Sequence, residues 1–200
     1  VKKAHAAGIR VFAHIETADD ARLCAKIGVD ALAHLPGYGW DGDEAIRKKY
    51  CMTKEDVQLF KIAGLTVITT MNIDHTKSYD DNWNVTLQPE KIAATQMYEK
   101  NILRYLYKAK VPIALGADYY EKTVAPEIDS LIAQKNFTPA QLLDVWSRQT
   151  TQHIFPNRKL GEIKEGYEAS FLVLKGNPVT NIENIKEIRW RVKQGKFIIL

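Results

Sequence analysis

Short apolar segments alternate with segments of helical periodicity through the first part of the chain. The apolar segments lie near residues 11–15, 30–34, 65–70 and 112–117, and each is rich in β-branched or small residues. Such runs, bounded by polar or glycine-containing sequence, predict buried strands of a parallel sheet. Since strands alternate with helices, the pattern predicts an α/β fold in which helices cover the sheet.

The helices between these strands have recognisable starts and stops. Thr17 with Asp20, and Thr53 with Asp56, have the spacing of a capping box, and a glycine follows each helix at Gly28 or Gly64. Pro89 is suited to the first turn of a long helix that precedes the fourth strand. These signals predict helices over 18–27, over 54–63 and from residue 89 onward.

The pattern changes in the last quarter of the chain. Thr138, Pro139 and Gln141 open one more helix that continues through Trp146, and from about Arg158 short alternating segments with glycine turns follow, with Gly195 in the last hairpin. We therefore expect two domains: residues 1–157 with the strand–helix repeats, and residues 158–200 with a small β-structure.

Composition and charge exclude several classes of function. The chain is 46% hydrophobic and 26% charged, as expected of a globular protein, and no apolar segment approaches the ~20 residues of a membrane span. The net charge of +4 is scattered, and the densest basic segment, residues 189–193, alternates with Trp and Val like a strand, so nucleic acid is not expected as a partner. Cys24 and Cys51 lack metal-site spacing and are predicted to be buried thiols.

The chain begins with Val1 inside a segment that has the pattern of a helix ending at Gly8. We therefore expect the natural N-terminus to lie upstream. The cellular compartment stays open for the same reason, because a targeting signal would precede this residue.

Three residues of the types that bind metals follow predicted strands. His14 closes VFAH, His34 closes VDALAH and Asp118 closes VPIALGAD. Because the carboxyl ends of parallel strands lie on one rim, these side chains are predicted to converge there. Two imidazoles and a carboxylate are ligands for zinc or a similar divalent ion, and a cation would stabilise a carboxylate that burial otherwise disfavours.

Other residues near this rim are candidates for substrate contact. The connections 35–52 and 71–88 are much longer than a usual strand–helix loop, as a substrate pocket requires. Five side chains on or beside the rim could contact substrate: Tyr38, Trp40, His75, Tyr119 and Tyr120. The aromatic residues could equally pack as a lid, and His75 could equally be an idle surface residue. By contrast, His5 is predicted to be a surface residue and His153 a structural one.

Four motifs in order resemble a known family. They are VFAHIET followed by IGVDALAHLPG, then VPIALGADYY, then LGEIKEGYEASFLVLKGNP leading to VKQGKFI. Together they resemble the C-terminal half of the amidohydrolase superfamily, in its imidazolonepropionase-like and prolidase-like branch. The resemblance extends over essentially the whole chain, although Ser170 stands where the family usually has Asp.

The resemblance implies the second half of a (β/α)8 TIM barrel, about strands 5–8, followed by part of a small β-sandwich. It implies one or two divalent metal ions, most often zinc, with His14 and His34 as ligands from the fifth and sixth strands. Asp118 would be both a ligand and the catalytic proton shuttle from the eighth strand. A His-x-His pair and a carboxylated Lys or a Glu, which the family also uses, would precede Val1.

The function implied is hydrolysis of a C–N bond in an amide, a cyclic amide or a dipeptide by metal-activated water. The chain is then a fragment whose partner is the missing N-terminal half of the barrel. An open half-barrel would expose strand edges and apolar surface, so we expect weak metal binding, no activity and a tendency to form homo-oligomers or aggregates. Two alternatives stay open: a non-catalytic fragment that only packs with a partner half, and a metal-free barrel lyase or isomerase.

Overall fold

The structure is a computed structural model that describes residues 1–71, 78–79, 85–86, 89–118 and 123–199. It divides into two compact units, residues 1–136 and residues 137–200. The predicted domain division at residue 157 is a different one and stays a prediction. No helix in the described part of the chain combines the length and the hydrophobicity of a transmembrane segment.

The first unit contains a four-stranded parallel sheet with the strand order β1-β2-β3-β6. The elements of this unit are α1 (Lys2–Ala6), β1 (Phe12–His14), α2 (Ala18–Ile27), β2 (Ala31–Ala33), α3 (Arg47–Tyr50), α4 (Lys54–Ala63), β3 (Thr66–Ile68), β4 (Ser78–Tyr79), β5 (Val85–Thr86), α5 (Pro89–Ala109), β6 (Ile113–Ala114) and α6 (Ala125–Ala133). β4 and β5 form a separate antiparallel pair. The four predicted strands are thus confirmed, each shorter than its apolar segment.

The predicted helix starts are confirmed by the hydrogen bonds at the caps. Thr17 and Thr53 each accept from the backbone N–H three residues on, and the Asp at that position accepts from the backbone of the threonine. Gly28 and Gly64 then end α2 and α4 in the left-handed conformation that glycine adopts easily. Local sequence therefore determines where these helices begin and end.

The core of the first unit lies between the sheet and its helices. Leu32 of β2, Val67 of β3 and Ile113 of β6 are fully buried, as are Phe60 of α4 and Leu103 of α5. Cys24 and Cys51 are buried free thiols as predicted, and burial raises the pKa of both. The parallel strands are buried on the helix side because the helices connecting them pack there.

The second unit contains a helical segment and an antiparallel sheet. Its elements are α7 (Pro139–Leu143), a π-helical turn (Asp144–Gln149), α8 (Thr150–Ile154), β7 (Phe171–Leu174), a 3-10 helix (Ile182–Lys186), β8 (Ile188–Lys193) and β9 (Lys196–Ile198). The capping box at Thr138 is confirmed, but the expected α-helix through Trp146 changes to π-helical geometry after Leu143. The hairpin between β8 and β9 turns at Gln194 and Gly195, as predicted.

Candidate functional site

The parallel register of the sheet brings two of the predicted ligands together. His14, the last residue of β1, is level with Ala33 of β2, and His34 is the next residue along the chain. Both side chains therefore lie at the carboxyl end of the sheet, on neighbouring strands. His34 has a φ of 93°, a conformation uncommon for a residue with a side chain, and such backbone strain is concentrated at functional sites.

The imidazole rings of His14 and His34 are in direct contact. Their centroids are 4.7 Å apart with an interplanar angle of 83°, and His14 Nδ1 lies 3.0 Å from His34 Nε2. His34 is only 3% exposed, whereas His14 is exposed. One nitrogen of each ring thus faces the other at the border between the interior and solvent.

The second ring nitrogen of His34 is also occupied. His34 Nδ1 lies 2.7 Å from the hydroxyl oxygen of Thr70, which follows β3 at the same end of the sheet. Burial lowers the pKa of His34, and the charge of His14 adds to this effect, whereas the carboxylates of Asp118 and Glu16 oppose it. The lowered pKa favours the neutral imidazole, which is the form that binds metals.

Tyr38 is the aromatic residue closest to this histidine pair among the predicted substrate contacts that the structure describes. Its ring centroid is 4.9 Å from that of His34, with the planes tilted by 37°. Burial, together with the charges of Glu16 and Asp118, raises the pKa of Tyr38 to about 12. The phenol therefore keeps its proton at neutral pH and can donate a hydrogen bond.

Trp40 has a different role from Tyr38. It is 6% exposed, packs against the ring of Tyr98 and donates its indole N–H to the carbonyl of Asp43. For the aromatic residues near the rim, the sequence allowed either substrate contact or packing as a lid. The contacts of Trp40 correspond to packing.

Asp118 lies beyond the end of β6 and is exposed. Its charge acts on both His34 and Tyr38, so its carboxylate is within electrostatic range of these two side chains. Within the described residues, however, no three His, Cys, Asp or Glu side chains form a group that could hold a metal ion. That Asp118 completes the ligand set stays a prediction.

The two imidazoles fit a shared metal ion. Zinc binds histidine nitrogen at ~2.0–2.1 Å with tetrahedral geometry, which separates two ligand nitrogens by about 3.3 Å. The facing nitrogens of His14 and His34 are 3.0 Å apart, so a small outward shift would accommodate the ion. The remaining nitrogen of His34 already has the hydrogen-bond partner that metal-binding histidines usually have.

Of the five remaining residues named from the sequence, the structure describes His5 and His153. His75, Tyr119 and Tyr120 fall outside the described residues. His5 is exposed and contacts Asp30 over 2.8 Å, which agrees with its prediction as a surface residue. His153 lies in α8 of the second unit.

Sequence reasoning missed two residues beside the pair, Glu16 and Thr70. Glu16 follows His14 by two positions, and its carbonyl accepts from the N–H of Gly37, which keeps it next to the segment that carries Tyr38. Thr70 ends the apolar run LTVITT, so its place at the same strand end as the histidines was the available signal.

Comparison with known proteins gives a fold rather than a close relative. No protein-family model and no curated protein matches the chain. Solved structures do match. An amidohydrolase is similar with a TM-score of 0.73 and 21% identity, over 100% of this chain and 46% of that one. The chain shares the fold of part of that structure.

Two further structures agree with this fold. Ochratoxinase from A. niger matches with a TM-score of 0.70 and 22% identity, over 98% of this chain and 43% of that one. A Xaa-Pro dipeptidase with methionine bound in its active site matches with a TM-score of 0.72 and 20% identity, over 98% of this chain and 46% of that one. The chain therefore spans less than half the length of each of these enzymes.

Proposed function

We propose that this chain carries part of the active site of a metal-dependent hydrolase that cleaves a C–N bond in an amide, a cyclic amide or a dipeptide. The observation that carries the proposal is the facing pair His14 and His34, 3.0 Å apart at adjacent strand ends. The fold, which is shared with amide-cleaving and peptide-cleaving enzymes, supports it. The ion is most often zinc in such nitrogen-rich sites.

Each residue of the site has a defined part in this proposal. When bound, a divalent ion lowers the pKa of its water to about 7 and polarises a carbonyl group. His14 and His34 hold the ion, and Asp118 accepts the proton of the attacking water and delivers it to the leaving nitrogen. The neutral phenol of Tyr38 donates a hydrogen bond to a substrate oxygen, and His75 and Tyr119 are further candidates for substrate contact.

The test begins with metal binding, measured by zinc titration of the protein and of its variants. His34→Asn removes one ligand and should weaken zinc binding by more than the roughly 10–100-fold caused by losing a residue hydrogen-bonded to a ligand. His5→Asn, on the exposed helix α1, is the matched control and should leave zinc affinity unchanged. Equal zinc affinity in the His34 variant and the parent would contradict the proposal.

Hydrolysis is tested on a panel of dipeptides, N-acyl amino acids and cyclic amides, with the zinc-loaded chain combined with the other half of a barrel. Asp118→Asn should lower kcat by about 10²–10⁴-fold, because the proton shuttle is lost. A metal-free lyase or isomerase, the competing function, would instead keep its activity after treatment with a chelator.

We further propose that activity needs ligands from outside residues 1–200, supplied by the other half of a barrel. Two imidazoles and one carboxylate leave a metal site short of the preorganisation that a complete ligand shell gives. The 200-residue chain alone should bind zinc weakly and show no turnover, and adding the complementary half should restore both. Tight zinc binding with turnover by residues 1–200 alone would overturn this part of the proposal.

A further inference from the structure

Thr70 lies outside the predicted ligand set and contacts it directly. Its hydroxyl oxygen lies 2.7 Å from His34 Nδ1, and both side chains are buried, with His34 3% and Thr70 6% exposed. A buried hydrogen bond of this length holds the imidazole in one orientation.

The backbone at Thr70 is unusual in a way that serves this contact. Its φ is 50°, a left-handed conformation in which a β-branched residue is a genuine outlier. The neighbouring Thr69 holds this turn in place. Its N–H donates to the carbonyl of Ala114, and its hydroxyl donates to the buried carboxylate of Glu127. Thr69 and Thr70 thus point to opposite sides, one toward α6 and the other toward the histidine pair.

The contact between His34 and Thr70 allows two arrangements of protons. In one, His34 Nδ1–H donates to Thr70 and the lone pair of His34 Nε2 faces His14. In the other, the Thr70 hydroxyl donates to His34 Nδ1 and the proton of His34 lies on Nε2. Only the first leaves the nitrogen that faces His14 free to bind a cation, because a protonated ring nitrogen has no lone pair to offer.

We propose that Thr70 is a positioning residue that holds His34 in its Nδ1–H tautomer and thereby directs the lone pair of Nε2 toward the metal. This inference rests on the proposed function for its metal-binding consequence, but not for the tautomer itself. A neutral histidine in water favours the proton on Nε2, so a proton on Nδ1 in the protein reports the hydrogen bonds that the ring makes, and the loss of the Thr70 hydroxyl tests the one at Nδ1.

The experiment measures the tautomer of His34 by two-dimensional ¹⁵N–¹H NMR of the histidine-labelled protein without metal, and zinc affinity by titration. The parent should show a protonated Nδ1 and a bare Nε2. Thr70→Val has nearly the same shape but no acceptor, so it should shift His34 toward the Nε2–H tautomer and weaken zinc binding by roughly 10–100-fold.

Two variants separate this role from general stability. Thr70→Ser keeps the hydroxyl and should keep both the tautomer and the zinc affinity of the parent. Thr66→Val makes the same substitution at another buried threonine, in β3 itself, and should change neither. If Thr70→Val does not fold, the parent and Thr70→Ser spectra still decide the tautomer.

The outcomes are distinguishable from failure of the proposed function. An Nε2–H tautomer in the parent overturns the role of Thr70, whatever zinc does. A Thr70→Val protein with the parent's zinc affinity, when His34→Asn has lost it, also overturns it. If His34→Asn leaves zinc affinity unchanged, the metal site itself is wrong, and the tautomer measurement still stands.

Discussion

The hydroxyl of Tyr98 donates to the carbonyl of Pro36 over 2.7 Å and accepts from the N–H of Met52 over 2.9 Å. Tyr98 belongs to α5 and is 8% exposed, whereas Pro36 and Met52 lie at the two ends of the long segment that follows His34. One side chain thus ties both ends of the segment that carries Tyr38 to the helix layer.

Replacing Tyr98 by Phe removes this tie with little change in volume. Because a buried N–H and a buried carbonyl lose their partner, we expect the free energy of unfolding to fall by about 1–3 kcal/mol. Hydrogen exchange of the Met52 N–H should become faster. Tyr105→Phe, on the same helix at a residue 48% exposed, is the control and should change neither quantity.

Gly37 makes a close approach in the same segment. A Cβ at this position would lie 2.5 Å from the carbonyl oxygen of Tyr50 and 2.8 Å from the ring of Tyr98, and its φ is +85°. Gly37→Ala should therefore destabilise the fold by more than the ~1 kcal/mol expected from an unfavourable φ alone.

Gly64→Ala is the matched control for that substitution. Gly64 also has a positive φ, +65°, but a Cβ there would meet no atom within 4 Å. The difference between the two variants in chemical denaturation measures the cost of the close approach. Equal destabilisation would show that the segment after His34 adjusts freely, against our expectation.

Asp56 joins two helices through a two-point ion pair with Arg22. The guanidinium Nε and Nη2 of Arg22 lie 2.8 Å and 2.7 Å from the carboxylate oxygens, and Asp56 also accepts from the N–H of Thr53. Burial tends to raise the pKa of Asp56, but the hydrogen bonds from Arg22 and Thr53 outweigh it, so the pKa is lowered.

Asp56→Ala should cost about 2–4 kcal/mol in unfolding free energy, because it removes a helix cap and leaves a half-buried guanidinium without this partner. Asp19→Ala removes the other carboxylate that contacts Arg22, one that is 60% exposed, and should cost at most about 1 kcal/mol. A similar loss in both variants, measured by urea denaturation, would argue against a special contribution of the inter-helix pair.

Glu99 makes stability depend on pH. Burial, reinforced by the charge of Glu127, raises the pKa of Glu99 well above its usual value of 4.5. Above about pH 4.5, the carboxyl group of Glu99 therefore keeps its proton in the folded chain but has lost it in the unfolded chain. Since unfolding then releases a proton, the free energy of unfolding should fall as pH rises above about 4.5, by up to ~1.4 kcal/mol per pH unit, until Glu99 ionises in the folded state.

Glu99→Gln should remove this contribution and flatten the pH dependence, as measured by denaturation between pH 5 and pH 9. Glu90 lies on the exposed first turn of the same helix, so Glu90→Gln should leave the pH dependence of unfolding as it is in the parent. A steeper fall in Glu99→Gln than in the parent would show that the carboxyl does not hold its proton in the folded state.

Prediction from sequence succeeded where short-range chemistry decides the structure. Thr17, Thr53 and Thr138 open helices because each side chain caps a backbone N–H three residues on, and Gly28 ends one because it adopts the left-handed conformation readily. Boundaries were less accurate for strands, since an apolar run continues beyond the residues that pair in the sheet. The π-helical turn after Leu143 also gave no signal in the periodicity.

For the candidate site, the sequence supplied the residues but not their arrangement. The strand ends at His14 and His34 follow from the local pattern. Their adjacency follows because consecutive strands of a parallel sheet usually pair with each other. Thr70 and Glu16 were missed because neither a threonine nor a glutamate near a strand end is unusual by itself. Their importance depends on which side chain each one faces.

The sequence by itself determined the helix caps, the alternation of strands and helices and the presence of two imidazoles at strand ends, because these depend on residues close together along the chain. Only the tertiary structure decided that His34 has one ring nitrogen against Thr70 and the other against His14, 36 and 20 residues away. The register between strands and the strained backbone at His34 and Thr70 set those contacts, and packing of the whole sheet fixes both.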